Sequence, residues 1–193
     1  MLQFDIDQQS LLDLIDAVGA TEQQAKFALA RALNRTAATL RKMSEKGFKN
    51  ELDLKKVAYI RKRLKSIKFK QYGFAGAGLW YGLNDLPVSM MRGSVKDNRP
   101  AGASFSGKVG NFAFKKGFVA KSRNGRGKTI FQRDGKGRLP IEEAAAPIKD
   151  KMDVYIEDSI FDKIDDIFWK HFSQDLSARV NLGVGATNYR NAR

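Results

Sequence analysis

Apolar positions recur at steps of three and four at the two ends of the chain and alternate with polar ones between. Residues 10–18, Ser10-Leu11-Leu12-Asp13-Leu14-Ile15-Asp16-Ala17-Val18, repeat apolar positions at three and four, and Gly19 is placed to end that short helix. A second helix starts at Thr21, because Thr21-Glu22-Gln23-Gln24 has the spacing in which the Thr21 and Gln24 side chains satisfy free backbone donors reciprocally. Its apolar stripe, Ala25, Leu29, Ala32, Thr36, Leu40 and Met43, carries it to about Lys46, with Gly47 as the predicted stop. A shorter helix is predicted around Leu54–Arg63.

From about residue 65 the period becomes two. Ile67 and Phe69 alternate with Ser66, Lys68 and Lys70, and Leu79, Tyr81 and Leu83 alternate again, which is the pattern of half-buried strands. Glycines accumulate here and imply turns and bulges, and Arg92–Gly107 has the weakest case for regular structure. Phe112 and Phe114 then share a strand face, and Phe118–Arg133 reads as a hairpin. After Pro147, Met152, Ile156, Ile160, Ile164, Ile167, Phe168 and Phe172 mark one amphipathic helix over 149–176 with an acidic outer face. The order predicts an α+β fold: a long N-terminal and a long C-terminal helix packed on a mostly antiparallel sheet, with a protruding basic hairpin. A single domain over 1–180 and a flexible tail over 181–193 are the expected organisation.

Charge changes this picture more than composition does. With 42% hydrophobic and 29% charged residues the chain is an ordinary globular protein, yet its net charge is +14. Residues 26–70 hold 15 Lys/Arg against 3 acids, and residues 92–138 hold 13 against 2, whereas 1–25 and 141–176 are acidic. Segregated charge of this kind attracts polyanions or acidic protein surfaces. Cysteine is absent, which excludes disulfide scaffolds, thiolate metal sites and cysteine nucleophiles, and fits a reducing compartment. The first residues have neither a basic leader nor an apolar run, and nowhere do eighteen apolar residues follow one another, so neither a secretory signal nor a membrane span is predicted.

Two basic constellations are candidates for anion or nucleic-acid contact. Asn124-Gly125 is the preferred pair for a two-residue hairpin turn, and it would pair Arg123 with Arg126, Lys121 with Lys128, Val119 with Ile130 and Phe118 with Phe131. Four cations, Lys121, Arg123, Arg126 and Lys128, then converge at the tip, an arrangement that repels itself unless an anion relieves it. A solvated turn with screened charges is the alternative, and a bulge at Gly127 would change the register. The second constellation is Lys55-Lys56 with Arg61, Lys62, Arg63 and Lys65, which could track a phosphate backbone or form a solvated helix face. Phe69, Tyr72, Phe74, Trp80 and Tyr81 are interleaved with charge and could stack on bases or fill the core.

Enzymatic readings fail on context. Gly127-Lys128-Thr129 copies the end of a phosphate-binding loop, but Ser122 stands where a glycine must, and Thr129-Ile130-Phe131-Gln132 has strand character where a helix should start. His171 is the only histidine, so a zinc site would have to be built mostly from carboxylates, which is uncommon, and no histidine-based triad can be assigned to any serine by spacing. The acids Asp150, Asp153, Glu157, Asp158, Asp162, Asp165 and Asp166 read as the wet face of a helix. No catalytic residue, cofactor site or metal site is predicted.

Three segments, in order, resemble the minor tail protein Z family of long-tailed bacteriophages and prophages, the tail-completion proteins. They are Ala30-Arg31-Ala32-Leu33-Asn34-Arg35-Thr36-Ala37, then Gly82-Leu83-Asn84-Asp85-Leu86-Pro87-Val88, then Arg138-Leu139-Pro140-Ile141 leading to Ala146-Pro147. The resemblance covers about residues 20–180. It implies a structural, cofactor-free virion protein, assembled in the bacterial host cytoplasm, that completes the head-proximal end of the tail and prepares it for head joining. Its implied partners are the tail tube, the tail terminator and the head connector, with contact to the DNA end and a homo-oligomeric ring, a hexamer if it matches a six-fold tail. The residues alone leave a second reading open, a sequence-nonspecific nucleic-acid-binding module.

Overall fold

A computed structural model describes residues 7–71, 74–122, 127–133, 137 and 139–185, with only the backbone described for 68–71 and 74–77. The fold is α+β, with a long N-terminal helix, a long C-terminal helix and antiparallel sheets. The helices are α1 (Gln8–Ala17), α2 (Glu22–Glu51), α3 (Ala58–Arg61), α4 (Lys149–Ser159) and α5 (Ile164–Asn181). The chain divides into two compact units, one formed by Met1–Met43, Leu64–Tyr81 and Asp158–Arg193, the other by Ser44–Arg63 and Gly82–Glu157.

In the first unit, α1 ends as Gly19 predicts. The glycine takes a left-handed φ of 64°, and the Gly19 and Ala20 amides donate to the carbonyls of Asp16 and Ile15. The reciprocal cap of α2 forms as read: Thr21 N donates to Gln24 Oε1 at 3.0 Å and Gln24 N to Thr21 Oγ1 at 3.2 Å. Ala25, Ala28, Leu29, Ala32 and Leu33 of α2 are buried with Phe168, Phe172 and Leu176 of α5, and the small alanines leave room for the stacked rings of Phe168 and Phe172, 5.8 Å apart. Leu11, Leu14 and Ile15 of α1 and Val18 at its C-cap pack on this cluster from outside. Strands β1 (Leu64–Gln71) and β2 (Phe74–Tyr81) form an antiparallel ribbon in the same unit, with Leu64 opposite Tyr81 and Leu64 and Leu79 buried at its base.

The second unit holds two three-stranded antiparallel sheets. One has the order β4 (Gly93–Asp97), β5 (Ala103–Gly107), β6 (Gly110–Phe114), and the other β7 (Gly117–Lys121), β8 (Lys128–Arg133), β9 (Ile141–Glu143). Strands β7 and β8 pack against β4 and β5, burying Phe105, Phe114 and Ile130. A short pair, β3 (Leu86–Pro87) with β10 (Ala145–Ala146), sets Leu86 opposite Ala146, both fully buried.

Four expectations about elements are corrected. Gly47 does not stop α2; the helix runs on to Glu51, and the glycine is there because a Cβ would lie 1.7 Å from the Tyr155 hydroxyl. The stop comes at Asp53, which takes a φ of 44° while the Asp53 and Leu54 amides cap the carbonyls of Asn50 and Lys49. The helix predicted over Leu54–Arg63 shrinks to the single turn of α3. Arg92–Gly107 is two strands: Gly93 and Gly107 face each other across the ladder because the Phe105 ring lies against both, so these glycines clear space for a core aromatic. The helix predicted over 149–176 is interrupted, since α4 ends at Ser159 and a 3-10 turn over Phe161–Lys163 precedes α5.

Candidate anion-contact surface

Strands β7 and β8 pair in the register that the Asn124-Gly125 turn predicts. Phe118 stands opposite Phe131, Val119 opposite Ile130, and Lys121 opposite Lys128, and the Ser122 amide extends the ladder by donating to the Gly127 carbonyl at 2.9 Å. The base of the hairpin is apolar and anchored: Ile130 is buried, and the Phe118 and Phe131 rings stack at 6.1 Å. Thr129, also buried, donates to Glu143 Oε1 on β9 at 3.1 Å, which ties the hairpin to its third strand. At the turn end Lys121 and Lys128 are both exposed. Like charges directly opposite one another on a ladder are destabilising, and Lys121 and Lys128 form such a pair. Arg123 and Arg126, with the turn itself, lie outside the described residues.

The second constellation is dispersed by the fold. Because α3 is one turn, Arg61, Lys62 and Arg63 leave it into an irregular connection and do not share a helix face. Arg61 is paired with Glu45 at 3.3 Å. Arg63 donates from Nη1 to the Asn84 carbonyl and from Nη2 to the Asp85 carbonyl, the latter at 3.1 Å. Burial of its guanidinium pulls its pKa below the ordinary value, with the Asp85 carboxylate opposing. Such a residue is a clamp on a loop. Lys62 is exposed, and Lys65, in the first unit, has its ammonium 5.5 Å above the Trp80 ring. Of the aromatics weighed for base stacking, Trp80 is 40% exposed and Tyr81 half-buried, while the side chains of Phe69, Tyr72 and Phe74 are outside the described residues.

Cations that the sequence reading passed over lie at the opposite end of the hairpin. Arg133 sits over the Phe118 ring at 5.4 Å, and Lys115 and Lys116 are exposed in the turn between β6 and β7. The signal for them was available: two lysines directly after Phe114, where the alternation breaks. Lys108 and Lys151 both reach Glu51 near the end of α2.

In the first unit Asp175 and His171 have structural surroundings. Asp175, buried on α5, accepts from Arg179 at 2.7 Å and lies 3.3 Å from Arg31 on α2. His171 Nε2 is 3.3 Å from Thr39 Oγ1, while its buried Nδ1 has no partner, and burial, then Arg35 and Lys170, lower its pKa from 6.5. Of the acids read as a wet helix face, six are exposed and Asp153 is half-buried. Among the described residues no group of His, Asp or Glu is arranged to hold a metal ion, and no helix is long and apolar enough to cross a membrane.

The three segments that carried the family resemblance occupy defined places. The first is an exposed-to-buried stretch of α2, where Asn34 Nδ2 donates to the Ala30 carbonyl at 2.7 Å. The second and third meet, because Leu86-Pro87 pairs with Ala145-Ala146, and Arg63 clamps the second just before that pairing. Neither a curated protein nor a solved structure matches the chain. The family model for prophage minor tail protein Z matches residues 15–184, which takes in the capped α2, the clamped β3 and β10 pair, the basic hairpin and the whole of α5. The chain therefore belongs to the prophage minor tail protein Z family and is a structural component of a phage tail.

Proposed function

We propose that this tail protein completes the head-proximal end of the tail and prepares it for head joining, as a ring of identical copies built in the host cytoplasm and without catalysis. The chain through residue 180 acts in this reading as one module, in contact with the tail tube, the tail terminator and the head connector. One observation supports it beyond the family: the turn end of β7 and β8 holds Lys121 and Lys128 exposed and directly opposite each other. With Arg123 and Arg126 between them in sequence, that end is suited to an acidic protein surface or to the DNA terminus.

The test replaces Lys121, Arg123, Arg126 and Lys128 by Gln together. The expected outcome is an unchanged fold by circular dichroism, with tails of normal length that no longer join heads. Head joining at the wild-type level removes the hairpin end from the mechanism. A protein that stays monomeric, ignores tails and binds DNA with an affinity that falls steeply with salt would instead favour a nonspecific nucleic-acid-binding module.

A further inference from the structure

Among the described residues no third strand joins either edge of the β1–β2 ribbon. Each strand is eight residues long, and the pairing runs from Leu64–Tyr81 to Gln71–Phe74. A two-stranded hairpin is marginally stable by itself, and long open edges recruit further strands unless they are blunted by charge, proline or a cover. The two edges differ in how they are blunted. Strand β1 carries Lys65, Lys68 and Lys70 and no acid, whereas β2, Phe74 to Tyr81, carries no charged residue and no proline.

We infer that the ribbon is an assembly arm whose occupant is the ribbon of a second copy of this chain, with the β2 edge of one copy paired to the β1 edge of the next. Chemistry selects this pairing over the two symmetric ones. Joining β1 to β1 sets lysine strands side by side, which like-charge repulsion disfavours, and joining β2 to β2 leaves both lysine edges open. Joining β2 to β1 sets each lysine strand against a neutral one of equal length and repeats around a ring until no edge is left. The contact that such a junction needs is already made inside one copy: Lys65 lies over Trp80 at a paired position, 5.5 Å from the ring centroid. Trp80 is 40% exposed, so part of its surface is free to meet the neighbouring strand, where tryptophan is favoured at interfaces.

This inference rests on the ring reading of the function, and the experiment separates the two. The chain has no cysteine, so single cysteines report contacts without background. Lys68→Cys on β1 and Ala77→Cys on β2 are prepared as separate proteins, mixed, bound to tails lacking the native protein, and treated with a short bismaleimide. Mass spectrometry identifies the products. The expected product joins the two variants, at several-fold higher yield than either homotypic dimer, and amide exchange across 64–81 slows on tail binding. Tail-bound rings with homotypic products only, or with unchanged exchange across both strands, overturn the ribbon junction and leave the tail-completion reading standing. Failure of the unmodified protein to bind tails at all overturns both.

Discussion

Replacing Gly47 by alanine pits helix propensity against a neighbour from a distant part of the chain. Gly47 lies inside α2, where an exposed glycine-to-alanine change stabilises a helix by about 1 kcal/mol. The added methyl, however, would stand 1.7 Å from Tyr155 Oη and 2.1 Å from Cζ, where ordinary contact begins at 3.4 Å. The ring must retreat by about 1.7 Å, and it cannot do so freely because it packs edge-on against the buried Phe48 at 5.9 Å. Overpacking of this kind costs roughly 1–3 kcal/mol, so Gly47→Ala should be destabilising by up to about 2 kcal/mol after the propensity gain. In a Tyr155→Ala background the obstruction is gone, and the same substitution should change sign and stabilise by about 1 kcal/mol. Urea unfolding of the four proteins, followed through amide exchange over residues 45–52, reads both arms of the cycle. Stabilisation by Gly47→Ala with Tyr155 present would refute the contact and return the glycine to the role of a helix terminator.

Ile160 is fully buried where α4 gives way to the 3-10 turn, and Ile160→Ala should cost roughly 2–5 kcal/mol in chemical unfolding. A loss below about 0.5 kcal/mol, the scale of a surface change, would show that the break in the helix packs only within the assembly. The lone His171 should titrate below 6.5, because burial and the Arg35 and Lys170 charges oppose its cation. Its folded-state pKa is depressed, so the unfolded chain binds the proton more readily: stability is held above pH 6.5 and falls as pH drops from there through the folded-state value. Proton NMR of the single imidazole checks this directly, with Arg35→Gln expected to raise the midpoint and a wild-type midpoint at or above 6.5 refuting it.

What the sequence made legible was local. The reciprocal cap of Thr21 and Gln24 and the pairing of Lys121 with Lys128 depend on residues a few positions apart, whose turn and cap chemistry leaves few alternatives. The α2 stripe was also readable, because its buried alanines keep helical spacing whatever packs on them. Gly47 and the glycines of β4 and β5 misled for one shared reason. Each is small because an aromatic ring from elsewhere occupies the space, Tyr155 in one case and Phe105 in the other, and a lone sequence gives glycine the same letter whether it bends the chain or yields room. The interruption near Ile160 leaves little trace in the sequence because a single 3-10 turn barely shifts the apolar period that predicts a continuous helix.

The candidate cations divide along the same line between local pattern and distant partner. Arg61, Arg63 and Lys65 looked like one basic run, yet Glu45, the carbonyls of Asn84 and Asp85, and the Trp80 ring each take one of them. Neutralising or clamping three charges of a run lowers what it can offer a phosphate backbone, although the long-range field of the +14 chain is untouched by such pairing. Under the proposed function, steering and contact belong to different residues. The broad basic middle would steer the protein toward an acidic surface or a DNA end, and the exposed pair Lys121 and Lys128, opposite each other on the ladder, would be the contact. That division suits a protein that acts by occupying a position in an assembly: attraction can be diffuse, but the seat has to be defined by a strand register.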